Sequence, residues 1–315
     1  MTGSERRVAP IRIALVGIGK IVRDQHLPAL AADPGYALVA AASRNAVLEG
    51  LPTFKTVEAL LAEGPALDAV ALCMPPQARF AAAEAAIAAG KHVFLEKPPG
   101  ATLSEVEILA RQAEAAGVSL FASWHSRFAG AVEAARARLA GAEIRALRID
   151  WKEDVRRWHP GQEWIWQPGG LGVFDPGINA LSILTWILPR PLFVAAGRLL
   201  FPANRQAPIA AELTLSDGRG LSAGCVFDWR QTGPQTWSIA VETESGSLLL
   251  ADGGSRLDLD GEAGAPQPDA EYAGLYARFA DLVRSGRSEV DLAPLRLVAD
   301  AFLLGERVET EPFDW

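Results

Sequence analysis

The sequence predicts an α/β N-terminal domain on a doubly wound parallel sheet, followed by a second α+β domain built on an open, mostly antiparallel sheet. Three observations carry that prediction. Short, continuously apolar runs alternate with alanine- and leucine-rich helical stretches up to about residue 127, the pattern of strands buried on both faces with crossover helices between them. Beyond that point, strand-like runs follow one another across short turns containing Gly, Asp or Asn, which suits antiparallel pairing. The 315 residues suffice for two domains, at roughly 150 residues each; they are expected at 1–127 and 128–315.

Ile11 to Val16 reads as the first buried strand and runs directly into Gly17-Ile18-Gly19-Lys20, after which a helix should start. Residues 36–42 and 67–74 are further strands. Residues 77–89 read as a helix closed by Gly90, 93–95 as a strand, 102–116 as a helix with Thr102 and Glu105 spaced as a capping box, and 118–123 as another strand. In the second half the strand-like runs are 144–151, 192–201, 209–215, 221–229, 237–243 and 247–250. Helical patterns at 177–188, 272–284 and 294–307 are enough to cover one face of such a sheet.

Composition excludes several classes. The formal charge is -8 and the basic residues are scattered, whereas binding nucleic acid needs a basic face to neutralise phosphates. Two cysteines, Cys73 and Cys225, build neither a disulfide framework nor a four-thiolate zinc site. A reducing cytoplasm is the expected setting. No apolar run approaches the roughly 20 residues of a membrane span. Export is not expected either, because the first strand begins by Ile11 and leaves the Arg6-Arg7 pair no room for a removable leader.

Gly17 and Gly19 stand where a strand turns into a helix, the place where glycines let the backbone approach a pyrophosphate at a helix N-terminus; a tight turn alone is the simpler alternative. The third fingerprint position holds Val22 rather than Gly or Ala, so the strand-to-helix packing must differ there. The second strand ends in Ser43-Arg44-Asn45, with no carboxylate between Tyr36 and Val47 to bond a ribose hydroxyl. Arg44 offers a fork of donors to a 2′-phosphate and Ser43 a hydroxyl, which predicts NADP use, or dual use with NAD. A solvated loop arginine is the alternative.

None of Tyr36, Tyr272 and Tyr276 has Lys four residues later, so the Tyr/Lys pair of short-chain dehydrogenases is missing. Lysine is scarce: Lys20, Lys55, Lys91, Lys97 and Lys152 stand against 25 arginines. Lys97, in Glu96-Lys97-Pro98-Pro99 at the carboxyl end of a parallel strand, lies where ligands of doubly wound sheets bind. It is either a compact ammonium facing a substrate hydroxyl or a surface lysine before a proline turn. Asp175 and Asn179, four apart in the segment Gly169 to Asn179, share one face of a helix start; Asp175 is a helix cap or an acid/base group. Five of nine tryptophans fall between 124 and 166, together with His125, His159, Glu153 and Asp154. Apolar rings beside hydrogen-bonding groups suit a sugar, although any one of these rings is more often a core residue. No helical His spacing of four supports a metal site, and none is expected.

These residues resemble the glucose-fructose oxidoreductase/inositol dehydrogenase/rhizopine catabolism (Gfo/Idh/MocA) family over essentially the full length. The resemblance rests on Gly17-Ile18-Gly19-Lys20-Ile21, Glu96-Lys97-Pro98, and Gly169-Gly170 leading to Asp175-Pro176-Gly177-Ile178-Asn179. Arg23-Asp24-Gln25-His26, Pro75-Pro76-Gln77, Trp124-His125-Ser126-Arg127 and the segment from Trp151 to Gln162 are similar to its bacterial aldose branch, the L-arabinose and D-galactose 1-dehydrogenases. The resemblance implies a Rossmann domain with Gly17, Gly19, Lys20, Ile21, Ser43, Arg44, Pro75, Glu96 and Lys97 on the cofactor. It implies Lys97 at the reacting hydroxyl. It implies Asp175 as the acid/base group, because the family's histidine four residues on is replaced by Asn179. It also implies His125, Glu153, Trp158, His159 and Trp237 on the sugar. The expected reaction is oxidation at C1 of an aldose to its lactone by a homodimer or homotetramer. The alternatives are a family enzyme for inositol or a sugar phosphate, with Arg156 and Arg157 near the phosphate, and a non-catalytic sensor.

Overall fold

In the computed structural model, which describes residues 9–315, the early apolar runs form one six-stranded parallel sheet. Its strands are β1 (Ile11–Val16), β2 (Tyr36–Ala42), β3 (Thr53–Phe54), β4 (Ala69–Leu72), β5 (His92–Leu95) and β6 (Leu120–Ala122), in the order β3-β2-β1-β4-β5-β6. That order is the doubly wound dinucleotide-binding arrangement, whose direction reverses between β1 and β4. The crossovers carry α1 (Leu27–Ala32), α2 (Val57–Glu63), α3 (Arg79–Ala88) and α4 (Leu103–Ala116). β1 is buried at every position but Arg12, as continuous Ile, Ala, Leu and Val between two helical layers require. The Arg6-Arg7 pair lies outside the described residues.

The later strands make a second, eight-stranded sheet: β7 (Ile144–Lys152), β8 (Phe193–Pro202), β9 (Ala210–Ser216), β10 (Ser222–Asp228), β11 (Thr236–Thr243), β12 (Gly246–Ala251), β13 (Arg256–Leu259) and β14 (Glu306–Thr310), in the order β13-β12-β11-β7-β10-β9-β8-β14. Its neighbours are antiparallel except β7 with β10 and β8 with β14. Helices α5 (Val132–Leu139), α6 (Val155–Trp158), α7 (Phe174–Ile187), α8 (Glu271–Ser285) and α9 (Ala293–Leu304) complete the chain. α7 is buried on nearly every face and packs against α5, α9, β7 and β11, so it belongs to the core and its first turn is held firmly.

Two expectations are corrected here. The division does not fall at 127/128: one unit comprises the chain up to Gly100, Ser104–Ser123 and Tyr272–Val290, and the other Ala101–Leu103, Trp124–Glu271 and Asp291–Trp315. The cause is an aromatic row on α8. Tyr272, Tyr276 and Phe279, spaced four and three apart, share a helix face. Phe279 meets Phe94 edge-on at 5.6 Å, and Tyr276 stacks on Phe94 at 5.4 Å. The last helix also stops at Leu304 rather than at residue 307. A Cβ on Gly305 would meet the Ala301 carbonyl oxygen at 2.5 Å, and from Glu306 the chain is instead drawn into β14, paired in parallel with β8.

Candidate functional site

β1 delivers the glycine loop. Gly17 has φ +88, and a Cβ there would lie 2.6 Å from the Met74 backbone nitrogen, so glycine is enforced by both conformation and contact. Gly19 is different: a side chain there would meet nothing within 4 Å. The space over Gly19, beside the start of a helix, is the cradle a pyrophosphate fits. Lys20 pairs with Asp24 at the surface, and Ile21 is half-buried beside it. Val22 is fully buried and opens a five-residue π-helical segment, Val22–His26, before α1. The widened turn stands where a third small residue would have allowed a regular helix. Ser43 is bonded through its backbone to Phe54, while Arg44 is exposed and its carbonyl accepts from Lys55 Nζ at 3.1 Å. Arg44 and Lys55 thus meet at the end of β2, residue types that suit a ribose phosphate.

The Glu96-Lys97-Pro98 loop is fastened from inside. Arg79, 2% exposed, donates to the carbonyls of Met74, Glu96 and Pro98, which ties the turn bearing Pro75 to the loop bearing Lys97. The Lys97–Pro98 peptide is cis. The Glu96 carboxylate is buried and accepts from Tyr272 Oη and from the Lys97 backbone N–H. His26 Nε2 lies 3.4 Å from it and 3.5 Å from Cys73 Sγ, and His26 Nδ1 is 2.7 Å from Tyr276 Oη. Burial opposes charge on this imidazole, but the Cys73 thiol and the Glu96 carboxylate outweigh it and push His26 up to about 10. Glu96, expected at the cofactor, is thus seen bracing the Lys97 loop.

In the other unit the segment after Gln167 positions Asp175. Gly170 is pressed so closely on the preceding turn that a Cβ would sit 2.1 Å from the Trp164 carbonyl oxygen; the chain then reverses into α7. Val173 caps this helix, so Asp175 is its second residue and not the cap. The Asp175 side chain is 2% exposed and lies at the helix N-terminus, where the dipole favours negative charge. Asn179, one turn on, shares its face and is partly exposed.

A second predicted residue lies beside it and links it to a third. His159 Nε2 is 3.5 Å from Asp175 Oδ2 and 3.9 Å from Glu153 Oε1. Glu153, at the end of β7, is 5% exposed and accepts from Trp229 Nε1 at 3.2 Å and Trp237 Nε1 at 2.9 Å. The His159 ring rests 5.2 Å from that of Trp229. Trp158 tilts against Trp237 at 5.5 Å and donates from Nε1 to Gln235. His125 Nδ1 is 2.7 Å from Glu271 Oε2. Trp124 and Arg127 on either side are structural, donating to the carbonyls of Asp291 and Ser182. Trp124, Trp151 and Trp166 are core residues at 3–5% exposed, while Trp158 and Trp237 keep partly open faces. Arg156 lies over the Phe313 ring and beside Asp154, and Arg157 over Trp158.

Sequence reasoning missed Arg79, Trp229, Gln235, Glu271 and the role of His26. Arg79 carried no local signal, since its three acceptors are backbone atoms. Trp229 was readable as a lone aromatic at a strand end, one residue past Asp228.

Comparison with known proteins follows the same lines. Residues 11–123 match the GFO_IDH_MocA model, an oxidoreductase family with an NAD-binding Rossmann fold. Galactose 1-dehydrogenase of Pseudomonas fluorescens is 48% identical over 304 residues, spanning 96% of this chain and 99% of its own. The crystal structure of D-galactose-1-dehydrogenase from Rhizobium etli superposes with a TM-score of 0.93 at 57% identity, covering 98% of this chain and 99% of that one. A 3-ketoreductase from Actinomadura kijaniata, crystallised with TDP-benzene and NADP, shares the fold at TM-score 0.80 and 21% identity, over 96% of this chain and 99% of that one.

Proposed function

Because the chain belongs to the Gfo/Idh/MocA family of oxidoreductases, we propose that it is an NAD(P)-dependent aldose 1-dehydrogenase. It oxidises C1 of D-galactose, L-arabinose or both to the aldonolactone. The observation that carries this reading is the buried Asp175 carboxylate beside His159, which also faces Glu153, itself held by the Trp229 and Trp237 indoles. Near full-length similarity to two galactose dehydrogenases supports the same choice of substrate.

Gly17, Gly19, Lys20, Ile21, Ser43, Arg44 and Pro75 hold the dinucleotide, with Glu96 bracing the loop of Lys97. When bound, the nicotinamide supplies the hydride acceptor. Asp175 takes the proton of the C1 hydroxyl, Lys97 stabilises the developing alkoxide by a charge-assisted hydrogen bond, and Asn179 orients that hydroxyl. His125, Glu153, Trp158, His159 and Trp237 hold the ring and its hydroxyls. Exposed Arg44 with neighbouring Lys55 supports NADP as the preferred or shared cofactor. Arg156 is engaged by Asp154 and Phe313, which favours a free sugar over a phosphorylated one. The two aldoses share ring stereochemistry and differ by a hydroxymethyl group, so one pocket admits both. In this reading the enzyme is a cytoplasmic homodimer or homotetramer. The free thiols of Cys73 and Cys225 suit a reducing compartment. Among the described residues no helix is long and apolar enough to cross a membrane.

The test is a panel of free aldoses and their phosphates with NAD and NADP, followed by reduced-nicotinamide absorbance. D-Galactose and L-arabinose are expected to give the highest kcat/KM, and Asp175→Ala to lower kcat by on the order of 10²-fold or more. An Asp175→Ala enzyme within about threefold of the parent would refute the assignment, since loss of a general base costs far more.

A further inference from the structure

Two buried carboxylates, Glu153 at the end of β7 and Asp175 in the first turn of α7, face one imidazole. Two carboxylates in a poorly hydrated place favour a neighbour that can take up a proton between them. His159 Nε2 occupies that place, 3.5 Å from Asp175 Oδ2 and 3.9 Å from Glu153 Oε1. On its own short helix Asp154 and Arg156 pair with each other at 3.7 Å, and the Trp229 ring lies 5.2 Å from the imidazole. Glu153 is itself pinned by two indole N–H donors, so it cannot swing to take a proton from Asp175 without breaking both. The imidazole is better placed for it, with Nε2 3.5 Å and 3.9 Å from the two carboxylate oxygens.

We propose that His159 is the proton-holding partner of Asp175, supplied by the turn after β7. Asn179, four residues beyond Asp175, cannot fill that role because a carboxamide does not take up a proton near neutral pH. The proposal rests on the aldose dehydrogenase reading for its substrate but not for its pairing. In the step, the O–H bond at C1 breaks and its proton forms a new O–H bond on Asp175. That proton then passes from Asp175 Oδ2 to Nε2 of the neutral imidazole, giving an imidazolium flanked by Glu153 and a regenerated Asp175 carboxylate. Solvent takes the proton before the next turnover. His159 acts through Asp175, so it is a positioning and relay residue and does not itself touch the reacting carbon.

Two experiments decide it. The chain has only four histidines, so the His159 ring can be assigned by NMR through its absence in His159→Gln. Its titration midpoint is expected to fall by at least about one pH unit in Asp175→Asn, as loss of a nearby carboxylate should make it; an unchanged midpoint overturns the pairing. In the second, His159→Ala is expected to lower kcat roughly 10- to 100-fold, as loss of a proton-transfer partner does, beyond any rise in KM from its lost contact with the sugar. The acid limb of the kcat profile should move to lower pH, because it then reports a carboxylate alone, and added imidazole should restore part of the rate. An acid limb that stays in place and no rescue by imidazole overturn the relay, whatever happens to KM. If the parent oxidises no aldose, the substrate reading fails, and the NMR experiment still decides the pairing.

Discussion

Arg44 stands at the end of β2 with its side chain in solvent and Lys55 beside its carbonyl. A guanidinium there discriminates between dinucleotides only through the extra phosphate, so its removal should be felt by one cofactor and hardly by the other. Arg44→Ala is expected to raise KM for NADP by roughly tenfold, the modest effect of an exposed charge pair, and to leave KM for NAD within about twofold. Equal changes for both cofactors, measured by initial rates, would assign Arg44 to the solvated surface. Residues of this kind were legible in the sequence because a strand end, a glycine loop and a missing carboxylate are local signals. Asp175, Glu153 and His159 were legible one by one as chemically capable side chains. Their mutual distances were not, because they come from α7, β7 and the turn after it, and only tertiary packing sets such a separation.

At the scale of elements, α8 shows where local reading stops. Its periodicity was plain, and the helix runs Glu271–Ser285 against an expected 272–284. What its pattern does not carry is a destination: Tyr272, Tyr276 and Phe279 suit the inner face of either sheet, and they seat on the first. The buried group they close has a measurable consequence. His26 is raised from 6.5 to about 10 by Cys73 and Glu96 against the opposing effect of burial. A group raised in the folded state contributes stability that is complete below its unfolded value and is lost as pH rises through its folded value. Stability toward urea should therefore decline from about pH 6.5 to 10, and His26→Gln should flatten that slope. Cys225, pushed up by burial, and Tyr36 and Tyr276, raised by burial, add losses of the same sign only from their ordinary values near 9 and 10 upward. A curve flat up to pH 9 would show that the imidazole is not protonated in the folded chain.

For the whole molecule, the type of each sheet, parallel and then mostly antiparallel, followed from the alternation of patterns, whereas the strand orders and the composition of each unit did not. The first sheet is finished by residues Tyr272–Val290, whose Glu289 also forms a bridge with Phe121 at the outer strand. A fragment ending at Ser123 keeps every strand of that sheet but uncovers Phe94 and Phe121, both at most 1% exposed in the full chain. Truncating a single such phenylalanine costs about 3–5 kcal/mol, and uncovering two removes a comparable part of a typical domain's stability of about 5–15 kcal/mol. The fragment is therefore expected to lack a cooperative thermal transition, and a synthetic peptide of residues 271–290 to restore one. A sharp transition in the fragment alone, by calorimetry or circular dichroism, would refute this dependence.

Synthesis runs from the N-terminus, so the strands of the first sheet emerge about 150 residues before the helix that seals them. At roughly 5–20 residues per second, the ribosome leaves those phenylalanines waiting for about 7 to 30 seconds. During that interval the nascent chain presents an oily, half-built surface to the cell, and a chaperone able to cover it would be the natural custodian of the unfinished protein.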